Sequence, residues 1–302
     1  MVKTTAAPPP FDAYLQHMLN RQQQESWQRD GYAVLAAFKP ADELAAVCKR
    51  ARAIADAFEP DSSTGRFSTR DRSQLADAAL LASADGVHCF FEEEALDDAG
   101  RLRVAKAQSI NKIGHALHER DAVFQRFSHG PALAELGAKL GLATPQVWQS
   151  QVIFKQPHIG GEVGWHQDAS FFVTTPQTVM TFWFALEDAT LDNGCLWVQP
   201  GGQHSPLREQ YVCDHARGTL KMVALDATPW PTTADAVPLP VAAGTLVVFG
   251  GRLPHCSAPN RSPKSRLAYT LHVTDSTAAY AAENWLQRSA GFPVRGLAAP
   301  AG

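Results

Sequence analysis

Cysteine is scarce in this chain and follows no pattern. The five residues, Cys48, Cys89, Cys195, Cys213 and Cys256, are odd in number and far apart, and no CxxC pair occurs. That spacing predicts neither a disulfide framework nor a thiolate zinc site. Free thiols of this kind suit a reducing cytoplasm, the localisation expected here. A run of about 18 consecutive apolar residues, the length a membrane-spanning helix requires, is also missing. The opening MVKTTAAPPPF has no apolar core, so no signal peptide is expected. Strong charge of one sign is absent too. The formal net charge is -3, with Lys and Arg scattered, so no field is set up for nucleic acid or an anionic membrane. The partner expected is a small molecule, and the sequence says nothing of oligomeric state.

What is present is an ordinary globular composition, 45% hydrophobic and 19% charged, which excludes a disordered chain. With 302 residues a sizeable core can be buried. The expected division is a flexible tail over residues 1–10 and a single domain over 11–302. Within it, 11–145 reads as mostly helical support, 146–275 as a strand-rich core and 276–302 as a C-terminal extension. From Phe11 to Phe58 the pattern is helical, with Leu44, Val47, Ala51 and Ile54 at three- or four-residue spacing. The apolar run Gly31–Phe38 inside it reads as a strand closed by Pro40. Asp61–Arg72 reads as a loop, Asp97–Gly100 as a turn, and Ser128–Leu142 as a helix ended by Gly141.

After about residue 145 the pattern changes to short strands rich in β-branched and aromatic residues. They are Gln146–Gln156, Thr178–Asp188, Gly194–Pro200, Gly244–Gly251 and Arg266–Val273. Asp192-Asn193-Gly194 is a hairpin signal between two of them. No strand–helix alternation follows, so a parallel βαβ sheet is excluded. The fold expected is mainly β with flanking helices, an antiparallel sandwich or jelly roll with the N-terminal helices packed on one sheet. Pro206–Pro240 carries few strong patterns and reads as a long loop or lid.

WHQDASF (Trp165–Phe171) holds the central motif. Residues two apart on a strand share a face, so His166 and Asp168 can meet one ion while Gln167 turns away. His255, in the turn GRLPHCS after a separate strand, supplies a second imidazole. Two histidines and one carboxylate fill one face of an octahedron and leave three positions open, a set suited to iron(II), a bidentate 2-oxo acid and dioxygen. Arg266 begins the next strand and can grip a distal carboxylate with two prongs. HxD triplets are common by chance, so the weight lies in the joint pattern. His115, His118, His158 and His204 read as structural or exposed, Cys256 as a small buried filler and Asn193 as a turn former. Phe171 and Phe172 either line the site or pack beside it.

Several long stretches resemble the phytanoyl-CoA dioxygenase family of double-stranded β-helix oxygenases, in particular its domain-containing-protein branch. They are SINKIGHALH (109–118), QSQVIFKQPHIGGEVGWHQDASF (149–171), EDATLDNGCLW (187–197), SRLAYTLH (265–272) and ENWL (283–286). The resemblance implies an iron(II) enzyme that consumes 2-oxoglutarate and dioxygen, with ascorbate as an activator in vitro. By position it implies iron on His166, Asp168 and His255, and 2-oxoglutarate contacts from Lys112, Gln151, Trp183, Ser257 and Arg266. Arg266 and Ser257 would hold the distal carboxylate, with Trp183 as a wall. In Thr178–Asp188, Thr181, Trp183 and Ala185 share one face and Phe182, Phe184 and Leu186 the other. The family's halogenase relatives keep the carboxylate position small for chloride, so Asp168 implies hydroxylation. PGGQHS (200–205) departs from the shorter family motif, and His204 is assigned no role.

Two other readings compete. A zinc hydrolase could use the same ligands with a metal-bound hydroxide, and Glu162 is the carboxylate nearest in sequence to serve as base. A non-catalytic sandwich could bind ligand through a relic site. Substrate identity is expected to reside in Asp61–Gly100 and Pro206–Pro240, and no basic cluster announces a CoA phosphate.

Overall fold

The computed structural model describes residues 19–59, 66–67, 78–97 and 99–298. The expected tail and all of the Asp61–Arg72 loop except Arg66 and Phe67 lie outside the described residues. Helix α1 (Arg21–Asp30) begins at a reciprocal cap: Asn20 accepts from the Gln23 amide and the Gln23 side chain accepts from the Asn20 amide. Gly31, at φ 83°, ends it and releases the chain into strand β1 (Tyr32–Leu35). Helix α2 (Ala41–Ala57) buries Leu44, Val47, Cys48, Ala51 and Ala55 at helical spacing. Strand β2 (Arg66–Phe67), helix α3 (Ala78–Ala82), and strands β3 (Val87–Glu92) and β4 (Ile110–His115) follow.

Next come helices α4 (Leu117–Arg120), α5 (Ala122–Ser128) and α6 (Pro131–Lys139). The helix expected over Ser128–Leu142 is α6, which starts three residues later, while α5 ends at Ser128. Asp121 caps α5 by accepting from the Val123 and Phe124 amides. The chain then breaks at Gly130, and Pro131, which has no N–H to lose, starts the next helix.

The remaining strands are β5 (Pro145–Lys155), β6 (Val163–His166), β7 (Thr174–Thr175), β8 (Met180–Ala185), β9 (Leu196–Val198), β10 (Glu209–Asp214), β11 (Thr219–Ala224), β12 (Val237–Leu239), β13 (Leu246–Gly250), β14 (His255–Ser257), β15 (Arg266–Asp275), β16 (Ala279–Tyr280) and β17 (Arg295–Gly296). The larger sheet runs β1-β13-β8-β15-β5-β4-β3-β2, with β17 also on β5, and only the β2–β3 pair is parallel. The smaller sheet runs β12-β9-β14-β6, all antiparallel. This is the double-stranded β-helix expected.

Side-chain alternation separates two cores. Trp183, Ala185, Val247, Phe249 and Ala268 of the larger sheet pack inward with Leu196 and Val198 of the smaller one. Phe182, Phe184, Val248, Tyr269 and Leu271 point the other way, onto Leu44 and Val47 of α2 and Phe124 and Phe127 of α5. The two faces anticipated for β8 are those observed. Helices therefore cover one face of the larger sheet, and its other face is free to build a site against the smaller sheet.

Three expectations change. The stretch 11–145, read as mostly helical with one strand, supplies that strand as β1 and also β2 to β4 to the larger sheet; in β4 the polar Asn111, Lys112 and His115 are buried and obscure a strand pattern. Pro206–Pro240 is no featureless loop, because β10 and β11 form a hairpin and β12 joins the smaller sheet. Asp192-Asn193-Gly194 does turn the chain, but β8 and β9 lie in different sheets, so the turn is a crossover rather than a hairpin. Asn193 holds it by accepting from the Thr190 amide and donating to the Asp188 carbonyl, at 2.7 and 2.8 Å. Among the described residues no helix is long and apolar enough to cross a membrane.

Candidate active site

Between the sheets lies a cavity of about 220 Å³ whose lining includes His166, Asp168 and His255. One ligand atom from each of these three lies within 4.8 Å of the others. His255 opens β14 and stands directly opposite His166, the last residue of β6. His255 thus belongs to a strand rather than to the turn expected. Asp168 is not on the strand of His166 either: it begins a short 3₁₀ helix, Asp168–Ser170. Gln167 between them is extended, at φ -124° and ψ 127°, so the alternation persists one step past the strand end and still brings both side chains to one side. Gln167 turns away, donating to the Pro206 and Arg252 carbonyls.

The donor chemistry fits a metal ion. His166 Nδ1 is 2.8 Å from the Gly164 carbonyl and His255 Nδ1 is 3.0 Å from the Leu253 carbonyl. A carbonyl oxygen only accepts, so both Nδ1 atoms carry the proton and both Nε2 atoms keep a lone pair. Those Nε2 atoms lie 3.5 and 3.7 Å from the Asp168 carboxylate. An N–H···O=C contact of this kind is how proteins fix the tautomer of a ligating imidazole.

Electrostatics agree. Burial raises the cost of an ionised Asp168, but the surrounding His255, His272 and His166 outweigh it and hold the carboxyl well below its ordinary range. Burial lowers His255, reinforced by His166, to about 4. Burial also disfavours charge on His166, yet its hydrogen bond to Asp168 prevails and raises it. A metal ion at His166 Nε2 would therefore compete with a proton for that lone pair.

All five residues expected beside the metal line the same cavity: Lys112, Gln151, Trp183, Ser257 and Arg266. Their placement follows from register. Gln151 of β5, Thr270 of β15 and Trp183 of β8 form one row across the larger sheet. Ser257 closes β14 opposite Leu196. Arg266 is 2% exposed, and its guanidinium carbon lies 5.6 Å from the Trp183 ring centroid. Its Nη2 donates to the Gly194 carbonyl at 3.1 Å, while Nε and Nη1 find no partner among the described residues. Burial lowers its pKa to about 10. A buried guanidinium with two idle donors fits an incoming carboxylate. Burial likewise brings Lys112 down to about 7.

Gly194 makes this arrangement possible. It sits at φ 85°, and a Cβ there would lie 2.5 Å from the Ala258 carbonyl and 2.6 Å from the Lys155 side chain. A larger residue would displace the carbonyl that anchors Arg266.

Other expectations sort cleanly. His158 and His204 are exposed, His115 is buried against Ser83 and His118 against Ser150. His115 also reaches the cavity lining, as do both Phe171 and Phe172. Cys256 is only half-buried and lines the cavity, so it is more than a filler. Glu162 is exposed and outside the lining, which leaves a hydrolase without its suggested base. Glu209, Tyr211 and Met222 of the β10–β11 hairpin line one wall, within the segment expected to carry specificity.

Sequence reading missed three residues. Thr181 donates to Asp168 Oδ2 at 2.5 Å, His272 Nε2 lies 3.5 Å from the same oxygen, and Thr270 has a buried hydroxyl with no partner. Strand parity could have found two of them, since Arg266, Ala268, Thr270 and His272 are two apart on β15.

A family model described as phytanoyl-CoA dioxygenase (PhyH) matches residues 27–268, most of the length on which this site is built. The chain belongs to that family. Phytanoyl-CoA dioxygenase 1 of Oryza sativa subsp. japonica is 42% identical over 271 residues, 89% of this chain and 94% of the relative. Phytanoyl-CoA dioxygenase domain-containing protein 1 of Bos taurus is 39% identical over 282 residues, covering 91% and 97%. Among solved structures, the epimerase SnoN in complex with Fe3+, alpha ketoglutarate and nogalamycin RO superposes with a TM-score of 0.59 at 18% identity. That match covers 94% of this chain and 99% of SnoN, and it shows the shared fold. As a member of that family, the chain is an oxygenase dependent on iron and 2-oxoglutarate.

Proposed function

We propose that the chain hydroxylates a C–H bond of a small organic substrate, with 2-oxoglutarate converted to succinate and carbon dioxide. The observation that carries this reading is one cavity holding both a His166–Asp168–His255 cluster and a buried Arg266 with two idle donors. His166 Nε2, Asp168 Oδ1 and His255 Nε2 would hold iron(II), which supplies the redox chemistry with dioxygen when bound. Every other task falls to the chain. Arg266 pairs with the distal carboxylate of the cosubstrate, helped by Ser257 and by the Thr270 hydroxyl. Gln151 and Lys112 add polar contacts, and Trp183 walls the cosubstrate off from water. The cavity side formed by Phe171, Tyr211, Met222 and Trp285 receives the substrate and excludes solvent from the reacting atoms. One oxygen atom of dioxygen ends in succinate and the other in the hydroxyl group.

The test is to supply purified protein with iron(II), ascorbate and 2-oxoglutarate and to measure succinate, with and without candidate substrates. Succinate formation that His166→Ala abolishes is expected. No turnover, even uncoupled, together with stoichiometric zinc, would overturn the oxygenase reading.

A further inference from the structure

A fourth histidine stands beside the metal cluster without belonging to it. His272 is buried on β15, and its Nε2 lies 3.5 Å from Asp168 Oδ2. Yet it is not among the side chains whose ligand atoms converge within 4.8 Å of one another. Phe172 stacks on its ring, with centroids 4.8 Å apart and planes at 25°, which fixes the plane in which the imidazole can donate.

Asp168 Oδ2 has a second holder. Thr181 Oγ1 donates to it at 2.5 Å, and Thr181 is the residue directly opposite His272 across the β8–β15 ladder. The larger sheet thus presents two donors, from neighbouring strands at one register position, to one carboxylate oxygen. An ionised carboxylate only accepts, so the His272 proton sits on Nε2. His272 Nδ1, buried and unpartnered, is consistent with that tautomer. The other oxygen, Oδ1, is the one nearer His166 Nε2, at 3.5 Å, while His255 Nε2 lies 3.7 Å from Oδ2.

We propose that His272 is a positioning residue which, together with Thr181, engages Oδ2 of Asp168 so that the carboxylate binds the metal through Oδ1 alone. A free carboxylate can chelate an ion with both oxygens and occupy two of its positions. With Oδ2 tied to the sheet, Asp168 takes one position, and the three that a bidentate cosubstrate and dioxygen need stay open. This inference rests on the metal reading proposed above.

Cobalt(II) provides a probe without turnover: its affinity by titration calorimetry and the d–d bands of the loaded protein report ligand number and strength. In His272→Phe the stacked ring remains but the donor is lost. That variant should bind cobalt(II) about 10-fold more weakly and show shifted bands. Thr181→Val, on the other strand, should shift the bands in the same direction. His272→Gln, which keeps a donor, should recover the wild-type spectrum and gives a reading if the Phe variant does not fold. Wild-type affinity and bands in His272→Phe or, if that variant does not fold, in Thr181→Val, with only the melting temperature lowered, would overturn the proposal. Equal cobalt(II) uptake by wild type and His166→Ala would instead overturn the metal site itself, and the proposal with it.

Discussion

The Arg266 guanidinium lies 5.6 Å from the centre of the Trp183 ring, although the two residues are not opposite one another in the β8–β15 ladder. Trp183 faces Thr270, and Arg266 reaches along the strand from its first residue, anchored on the Gly194 carbonyl. Nε and Nη1 have no hydrogen-bond partner among the described residues, which is what the proposed pairing with a cosubstrate carboxylate requires.

Arg266→Ala should therefore act mainly on the cosubstrate. The 2-oxoglutarate concentration for half-maximal succinate formation should rise at least ~10-fold, since a charge-assisted pair contributes about 1.5–3 kcal/mol. Arg266→Lys should be nearly as poor, because a single ammonium cannot reproduce the planar fork. An unchanged cosubstrate requirement would show that the role is misassigned.

Thr270→Val offers a change of opposite sign in two measurements. The buried Oγ1 has no partner, and an unsatisfied buried hydroxyl costs about 1–3 kcal/mol. Without 2-oxoglutarate the variant should unfold at an equal or higher temperature than wild type. Added cosubstrate should raise its melting temperature less, because a donor to the ligand has gone. Equal ligand-induced shifts in both proteins would remove Thr270 from the cosubstrate site.

Lys155 predicts a pH dependence of stability. Burial, reinforced by the Arg266 charge, depresses its pKa from 10.5 to about 7. Above about 7 the folded chain has shed a proton that the unfolded chain keeps until about 10.5. The unfolded state then binds more protons, so this group's contribution to stability rises with pH across that window. Below about 7 the buried ammonium carries its full penalty. Urea unfolding of wild type and Lys155→Met at pH 6.5 and pH 9 should show wild type gaining relative to the variant at the higher pH. A difference that does not change with pH would mean that Lys155 titrates normally.

The thiols should be inert in the folded protein. Burial raises Cys48 to about 11 and Cys89 to about 12, and the thiolate is the reactive form. Mass spectrometry after iodoacetamide at pH 8 should find these two unmodified until denaturant is added. Rapid native labelling of either would contradict the packing described for it.

The sequence by itself determined the chemistry and the fold class. HxD with a later histidine names three ligand types, and parity along Thr181–Leu186 assigns each side chain of β8 to a face. Short β-rich segments with no intervening helices leave an antiparallel sandwich. These features are local, because side-chain period and residue type survive in any tertiary setting. Register between strands distant in sequence was decided only by the tertiary structure. It sets His255 opposite His166 and Thr181 opposite His272, and it moves Asp168 off its strand into a 3₁₀ turn. It also converts Pro206–Pro240 from an apparent lid into a hairpin wall. Pairing depends on which backbone groups and faces meet across the chain, and no short window of sequence contains both partners. For that reason Arg266 was visible from the sequence as a candidate, whereas Thr270 and His272, two and three steps along the same face, acquired meaning only when β8 and the His166–Asp168–His255 cluster were set beside them.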